Sequence, residues 1–274
     1  MAGHGSGDGT VGKALEVLDM VAHFERPIRF SELLNASPYP KATLYRLIQT
    51  LTSQRMLSFD PEAQTYALGV RLLGLAHAAW SQSSLAPLAR PFIDALSRSV
   101  GETVHLAQLD HAQVLYVDKR NARDPIQMYS MAGKVGPAYC TGVGKAMLAF
   151  LPEKDLAALL LQQSYHRFTP KTRCDDAALR EDLVVIRQRG YAFDDEEHEP
   201  NIICVALPIL TEGGRVLGGL SITSSTHRSS LSELEKLVPK MQETTKQIQE
   251  VMRNWHFPDQ KTQTQKTGYS KCQA

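Results

Sequence analysis

The sequence predicts an α+β chain in two parts: a small helical N-terminal unit closed by a β-hairpin, and a larger domain built on one antiparallel sheet. Three observations carry this. Two amphipathic stretches, Phe30 to Asn35 and Pro38 to Arg55, follow each other with only a tight turn between them. Beyond Gly101 short alternating strands and longer helical stretches intermingle, and two strands close the pattern around a Thr211-Glu212-Gly213-Gly214 turn. With 274 residues, 43% hydrophobic and 22% charged, the chain has the composition of a globular protein and the length for two domains.

Composition also excludes classes. No apolar run reaches membrane-spanning length, and the leading MAGHGSGDG has no charged-then-apolar signal architecture, so a flexible lead-in over 1–9 and a cytoplasmic location are expected. The four cysteines Cys140, Cys174, Cys204 and Cys272 are scattered and form no CxxC pair, which argues against a zinc finger or a disulfide framework. Reduced thiols are the expectation.

In the first part, expected over 10–69, Val11 to Phe24 carries Val11, Leu15, Leu18, Val21 and Ala22 at helical spacing, with Thr10 placed to cap it. Glu25-Arg26-Pro27 ends that helix. In the second amphipathic stretch Leu44, Leu47, Ile48 and Leu51 recur at i, i+3, i+4 and i+7 and make one buried stripe. Pro40 fits its first turn, and Ser37-Pro38-Tyr39 reads as the turn before it. Lys41, Thr43, Tyr45, Arg46 and Gln49 fall on the other faces. From Leu33 to Phe59 there is no Asp or Glu, so this surface suits a phosphate backbone, and the pair of helices has helix-turn-helix spacing. An ordinary helical hairpin has the same periodicity. Met56 to Ser58 and Thr65 to Leu68 read as the two strands of a wing, with Asp60 and Glu62 at a tip that phosphates would repel.

Gly69 to Ser84 reads as a linker helix, assigned to 70–85. Leu72, Leu73, Leu75, Ala76, Ala79 and Trp80 make it apolar over more than one face, which suits packing on a second copy or on the rest of its own chain. A helix from Leu85 to Ser99 opens the second domain, assigned to 86–256. Strands are expected at Val104 to Leu109, Val114 to Asp118, Ile126 to Met131, Ile202 to Leu210 and Val216 to Thr223. Helices are expected at Val143 to Phe150, Pro152 to Gln163, Asp175 to Arg189 and Leu231 to Trp255. The polar tail 257–274 holds too few apolar residues to fold.

Strand alternation sorts the last two strands by face. Ile203, Val205, Leu207 and Ile209 with Val216, Leu220 and Ile222 make a bulky side. Ile202, Cys204, Ala206 and Pro208 with Leu217, Gly219, Ser221 and Thr223 make a smaller, more polar one, which either meets solvent or leaves room for a ligand. Gly142-Val143-Gly144 opens a helix whose free N–H groups suit a carboxylate or phosphate, without the spacing of a Walker A loop. The acidic run Asp194 to Glu199, with His198, is extended and sends successive side chains opposite ways, which is poor metal geometry. No metal and no cofactor are expected.

These segments resemble, from Thr10 to Trp255, the IclR-type transcriptional regulators. The motifs that carry the likeness are ATLYRLIQTL, YALGVRLLGLA, CTGVGKAMLA, RGYAFDDEEHEPNIICVALPI and GLSITSSTHR, in that order. The resemblance implies a winged helix-turn-helix joined by a linker helix to an effector-binding domain similar to GAF and profilin-like folds. It implies a homodimer or homotetramer and an effector among small organic acids, sugar acids and aromatic compounds; a dimer calls for a near-palindromic double-stranded operator, and the helix start at Gly142 to Gly144 for an anionic effector. Carried onto this sequence, it makes Gly142, Val143, Asp194, Cys204, Ser221 and Thr223 the effector shell. The chain departs from the family pattern at Arg55 and at Pro200-Asn201, where glycine is common, and at Thr223, where serine is common and the extra methyl narrows the pocket. Two other functions stay open on sequence: a hydrolase using Cys204 with His105 or His198 as base, and a GAF-like sensor that binds no DNA. The expected protein is a regulator and not an enzyme.

Overall fold

The structure is a computed structural model that describes residues 9–83 and 85–254. The expectations for the lead-in before Gly9, for the side chain of Trp80 and for the 257–274 tail lie outside the described residues. Two compact units divide near Gln82.

The first unit opens with α1 (Thr10–His23), β1 (Ile28–Arg29), α2 (Phe30–Ala36) and α3 (Lys41–Ser53), followed by β2 (Leu57–Asp60), β3 (Thr65–Leu68) and α4 (Arg71–Ser83). Its core is the predicted stripe of α3, Leu44, Leu47, Ile48 and Leu51, packed with Val17, Leu18 and Val21 of α1 and Leu33 of α2. Thr10 is not the cap of α1: it is the first helical residue, and Gly9 stands at the N-cap without a side-chain bond. Pro40 likewise stands at the N-cap of α3 rather than inside its first turn, and the Ser37 hydroxyl accepts the Tyr39 N–H to form the turn before it. Glu32 closes the start of α2 by accepting the Arg29 N–H and pairing with Arg26.

The wing is longer than expected. β2 runs on to Asp60, because the Asp60 carboxylate accepts the N–H groups of Glu62 and Ala63 and so moves the turn past it. β1, too short to show periodicity, adds a third strand in the order β1-β3-β2. At the end of α3, Arg55 takes the left-handed conformation at φ +57°, and the Met56 N–H returns to Leu51 O. The turn that usually takes glycine is thus made by arginine. Gly69 lies against this turn, and a Cβ there would fall on the Arg55 carbonyl oxygen and 2.7 Å from its carbon.

The second unit continues with α5 (Ala86–Val100), β4 (Thr103–Asp110), β5 (Gln113–Arg120), β6 (Val135–Pro137), α6 (Gly142–Leu148), α7 (Glu153–Leu160) and α8 (Asp176–Arg189). It ends with β7 (Ala192–Asp195), β8 (Ile202–Leu210), β9 (Val216–Ser225), α9 (Leu231–Glu235) and α10 (Val238–Val251). Six strands form one antiparallel sheet in the order β6-β5-β4-β9-β8-β7. The bulky side of the sheet meets α5 and α10, and the small side meets α6, behind which α7 and α8 complete a second core.

Four expectations are corrected here. Ile126 to Met131 is no strand: the segment has no ladder partner, and the third strand of that region is β6. The acidic run is extended only as far as Asp195, in the edge strand β7 whose Asp194 sits opposite Cys204; it then turns at Glu196, with φ +57°, and the Glu197 N–H comes back to the Asp194 carboxylate. A bulge at Ile209/Leu210 pairs Leu210 with Val216, which turns Val216 toward the core under α6 rather than to the bulky side. The long final helix breaks between α9 and α10, where Pro239 occupies the first turn of α10 and has no N–H to continue the ladder from α9.

Candidate functional site

Two surfaces carry chemistry, one in each unit. On the first, Lys41, Tyr45, Arg46 and Gln49 of α3 are exposed and Thr43 is half-buried, while their neighbours Leu44, Leu47 and Ile48 anchor the helix. The Tyr45 ring is steadied edge-on by Phe30 of α2 at 6.0 Å. The Thr50 hydroxyl turns back to the Arg46 carbonyl, so it is spent within the helix. What remains outward is a cationic, hydrogen-bonding face with its carboxylates confined to the wing tip.

The second surface is a buried cavity on the small side of the large sheet. The register aligns Cys204 with Thr223 and Ala206 with Ser221, and β4 sets His105 opposite Ser221. Above them Gly142 and Val143 begin α6, and Tyr116, Met128, Ser130, Glu199 and Ile202 complete the lining. Part of the small side serves packing rather than a ligand. A Cβ on Gly219 would press on Val143 Cγ2 at 2.6 Å, so glycine there lets the helix sit directly on the strand. The space left is about 30 Å³, room for a water molecule or two.

His105 is the polar centre of this cavity. Its Nε2 lies 2.8 Å from Ser130 Oγ, and its Nδ1 lies 3.4 Å from Ser221 Oγ and 3.3 Å from Thr223 Oγ1. Burial, with a smaller contribution from Lys119, pushes its pKa down to about 3, so the imidazole is neutral and offers one N–H and one lone pair. Cys204 is in the opposite condition to a nucleophile. Burial and then the nearby Asp194 push its thiol well above the ordinary range, and the N–H groups of Gly142 and Asp194 are turned toward the sulfur. Asp194 stands behind Cys204 rather than on the cavity wall. Its carboxylate accepts the Glu197 N–H at 2.8 Å, and burial followed by the charge of Glu197 pushes its pKa up to about 7.

Behind α6 the buried Lys145 ammonium bonds Glu197 at 2.5 Å and Asp182 at 2.7 Å, and Arg173 joins Glu197 at 2.8 Å. This network ties α6 to α8 and to the acidic stretch. His198 packs edge-on against Phe168 and Tyr129. Among the described residues no three His, Cys, Asp or Glu side chains converge as a metal site requires.

The structure thus brings Gly142, Val143, Cys204, Ser221 and Thr223 to one cavity and sets Asp194 one layer back. Sequence reasoning considered His105 only as a base; it put Ile202 on the small face without making it a site residue, and it missed Tyr116, Met128, Ser130 and Glu199. Thr103, His105 and Ala107 alternate onto one face of β4, and only the β4–β9 pairing shows that this is the face of Ser221.

A helix-turn-helix with a wing, followed by a sheet domain with a buried polar cavity, defines the class of ligand-responsive DNA-binding regulators. Residues 77–250 match the family model for the bacterial transcriptional regulator IclR C-terminal domain, and residues 10–61 match the IclR helix-turn-helix domain. The chain belongs to the IclR family of transcriptional regulators. It is 31% identical over 234 residues to the HTH-type transcriptional regulator XynR of Escherichia coli, covering 85% of this chain and 93% of that one. The crystal structure of the Thermotoga maritima IclR aligns with TM-score 0.74 and 27% identity over 89% of this chain and 98% of that one. An IclR homologue from Microbacterium hydrocarbonoxydans, complexed with 4-hydroxybenzoate, shares the fold at TM-score 0.77 and 22% identity, over 89% of this chain and 99% of that one. The protein is accordingly a DNA-binding regulator with an effector-binding C-terminal domain, and neither the hydrolase nor the sensor without DNA finds support. Among the described residues no helix is long and apolar enough to cross a membrane.

Proposed function

We propose that this regulator reads its operator through Lys41, Thr43, Tyr45, Arg46 and Gln49 of α3, and that a small organic acid bound in the cavity of the second unit changes its affinity for that operator. The observation that carries the effector reading is the cavity itself: three hydroxyls and a neutral imidazole converge in a buried space beside the start of α6. Buried hydroxyls without a fixed cation among them suit a ligand with its own oxygens. The carboxylate of the acid lies toward the backbone of Gly142 and Val143, and its hydroxyl or keto oxygen toward Ser221 and Thr223. Asp194 supports this wall from behind Cys204. The protein works in the cytoplasm, as a binder that releases its ligand unchanged, without cofactor or metal.

The active form is at least a homodimer. Leu73 of α4 is 71% exposed and Leu75 51%, and Val11 and Leu15 of α1 are also uncovered, more apolar surface than one copy hides. A twofold dimer matches a near-palindromic operator with half-sites one helical turn or a multiple apart.

Calorimetric titration of the full chain with lactate, glycerate, pyruvate and 4-hydroxybenzoate, paired with gel shifts on the DNA upstream of its own gene, tests the reading. An acid that shifts operator binding should bind Ser221→Ala with affinity lowered by roughly 1–3 kcal/mol, while that variant still binds DNA without acid. Arg46→Ala should abolish the shift and leave acid binding intact. An acid that controls operator binding yet binds Ser221→Ala at full strength places the effector elsewhere.

A further inference from the structure

The segment 126–131 lies over the cavity with no strand partner, although β5 and β6 on either side of it are paired. Besides the Tyr129 hydroxyl on the Val135 carbonyl and the Lys134 N–H on the Met131 carbonyl, its fastenings are to groups that line or adjoin the cavity. Ser130 Oγ sits on His105 Nε2 at 2.8 Å, and its carbonyl accepts the Lys119 ammonium at 2.8 Å. One residue earlier, the Tyr129 N–H is held by both carboxylate oxygens of Glu199, at 3.1 and 3.0 Å. Ser130 is buried although its neighbours Tyr129 and Met131 are exposed, so its side chain is driven inward, with half-buried Met128 also on the lining.

The size of the cavity gives this arrangement a consequence. A space of about 30 Å³ takes water, whereas sites for organic ligands run to roughly 300 Å³ and more. The walls on the sheet side are strands in register, and the wall above is a helix packed directly on Gly219; neither yields without breaking a ladder or a core. The segment 126–131 has no such support: over the cavity it is held by the Ser130 hydroxyl on His105 and by the Glu199 carboxylate on the Tyr129 N–H.

We infer that His105 is an effector-binding residue, that Ser130 Oγ occupies the place on its Nε2 which an effector oxygen takes, and that the segment 126–131 is a roof the effector displaces. This rests on the cavity being the effector site. The neutral imidazole suits the exchange: it trades one hydroxyl for another without a change of charge, so the roof and the ligand compete on near-equal terms. Ser130 thereby sets an affinity ceiling, and its release gives the bound state a different surface over β5.

The test has two arms in the full-length protein. Without added acid, hydrogen exchange at the Tyr129 and Ser130 amides should rise at least tenfold in Ser130→Ala, with the unfolding midpoint unchanged. With lactate, glycerate and pyruvate as probes, an acid that binds wild type should bind Ser130→Ala at least threefold tighter and His105→Gln at least tenfold weaker. Unchanged exchange in Ser130→Ala overturns the roof, and so does an acid that binds Ser130→Ala more weakly than wild type. If none of the three acids binds either protein, these small hydroxy and keto acids are not the effector, and the exchange result alone decides the roof.

Discussion

Replacing Gly142 by alanine tests how tightly α6 is seated on β8. A Cβ at this position would overlap Cys204 Sγ and stand 3.2 Å from the Asp194 nitrogen. Both obstacles are buried and one is backbone of β7, so the contact cannot be relieved by a flexible side chain swinging out. Overpacking of this kind costs about 1–3 kcal/mol. For a domain of this size that lowers Tm by roughly 2–4 °C per kcal/mol. The second background separates the clash from a general intolerance. Cys204→Ala alone removes one buried sulfur and should cost on the order of 1 kcal/mol, at the low end of large-to-small changes. Adding Gly142→Ala to Cys204→Ala leaves only the 3.2 Å approach to nitrogen. Alanine there also narrows the unfolded ensemble, a gain of roughly 0.4–1 kcal/mol, so the second step should be close to neutral. The coupling between the two sites should then reach roughly 1–3 kcal/mol. Urea denaturation of the full chain, following the transition of the C-terminal unit, measures all four species. Additive costs, or a Gly142→Ala cost below about 0.5 kcal/mol with Cys204 present, would show that α6 does not rest on the sulfur.

Three further outcomes follow from single features. Because Asp194 is pushed up to about 7, above its unfolded value of roughly 3.9, the folded chain holds its proton more tightly. Stability from this group is therefore full below about pH 4 and is lost as pH rises through 7, by an amount on the order of 4 kcal/mol at most; Asp194→Asn should flatten that slope in urea titrations. Arg55→Gly should stabilise the N-terminal unit by roughly 0.5–1 kcal/mol by relieving the left-handed φ, while Gly69→Ala should cost more than about 2 kcal/mol because its Cβ meets backbone; thermal melts that rank them the other way refute the turn geometry. Cys204, with its raised thiol pKa, should stay unmodified by iodoacetamide at pH 8 in the native protein and react on unfolding; native labelling comparable to that of a free thiol would contradict its burial.

Periodicity alone determined the elements whose signal is local. The apolar stripe of α3 left Lys41, Tyr45, Arg46 and Gln49 outward, and alternation along β8 and β9 put Cys204, Ser221 and Thr223 on one side, because each pattern repeats within a few residues of chain. Asn201 kept the left-handed turn before β8, at φ +63°, as its short side chain permits. What lay beyond the sequence depended on pairing. β1 and β7 are strands only because β3 and β8 offer them partners, and the segment 126–131, apolar enough to read as a strand, finds none. The bulge at the start of β9, opposite Ile209 and Leu210, reversed Val216 through one extra residue that no period announces. His105 became the centre of the cavity through hydroxyls 25, 116 and 118 residues away in sequence. Such contacts are decided when strands choose neighbours, a step governed by the burial of whole faces rather than by any one stretch of chain.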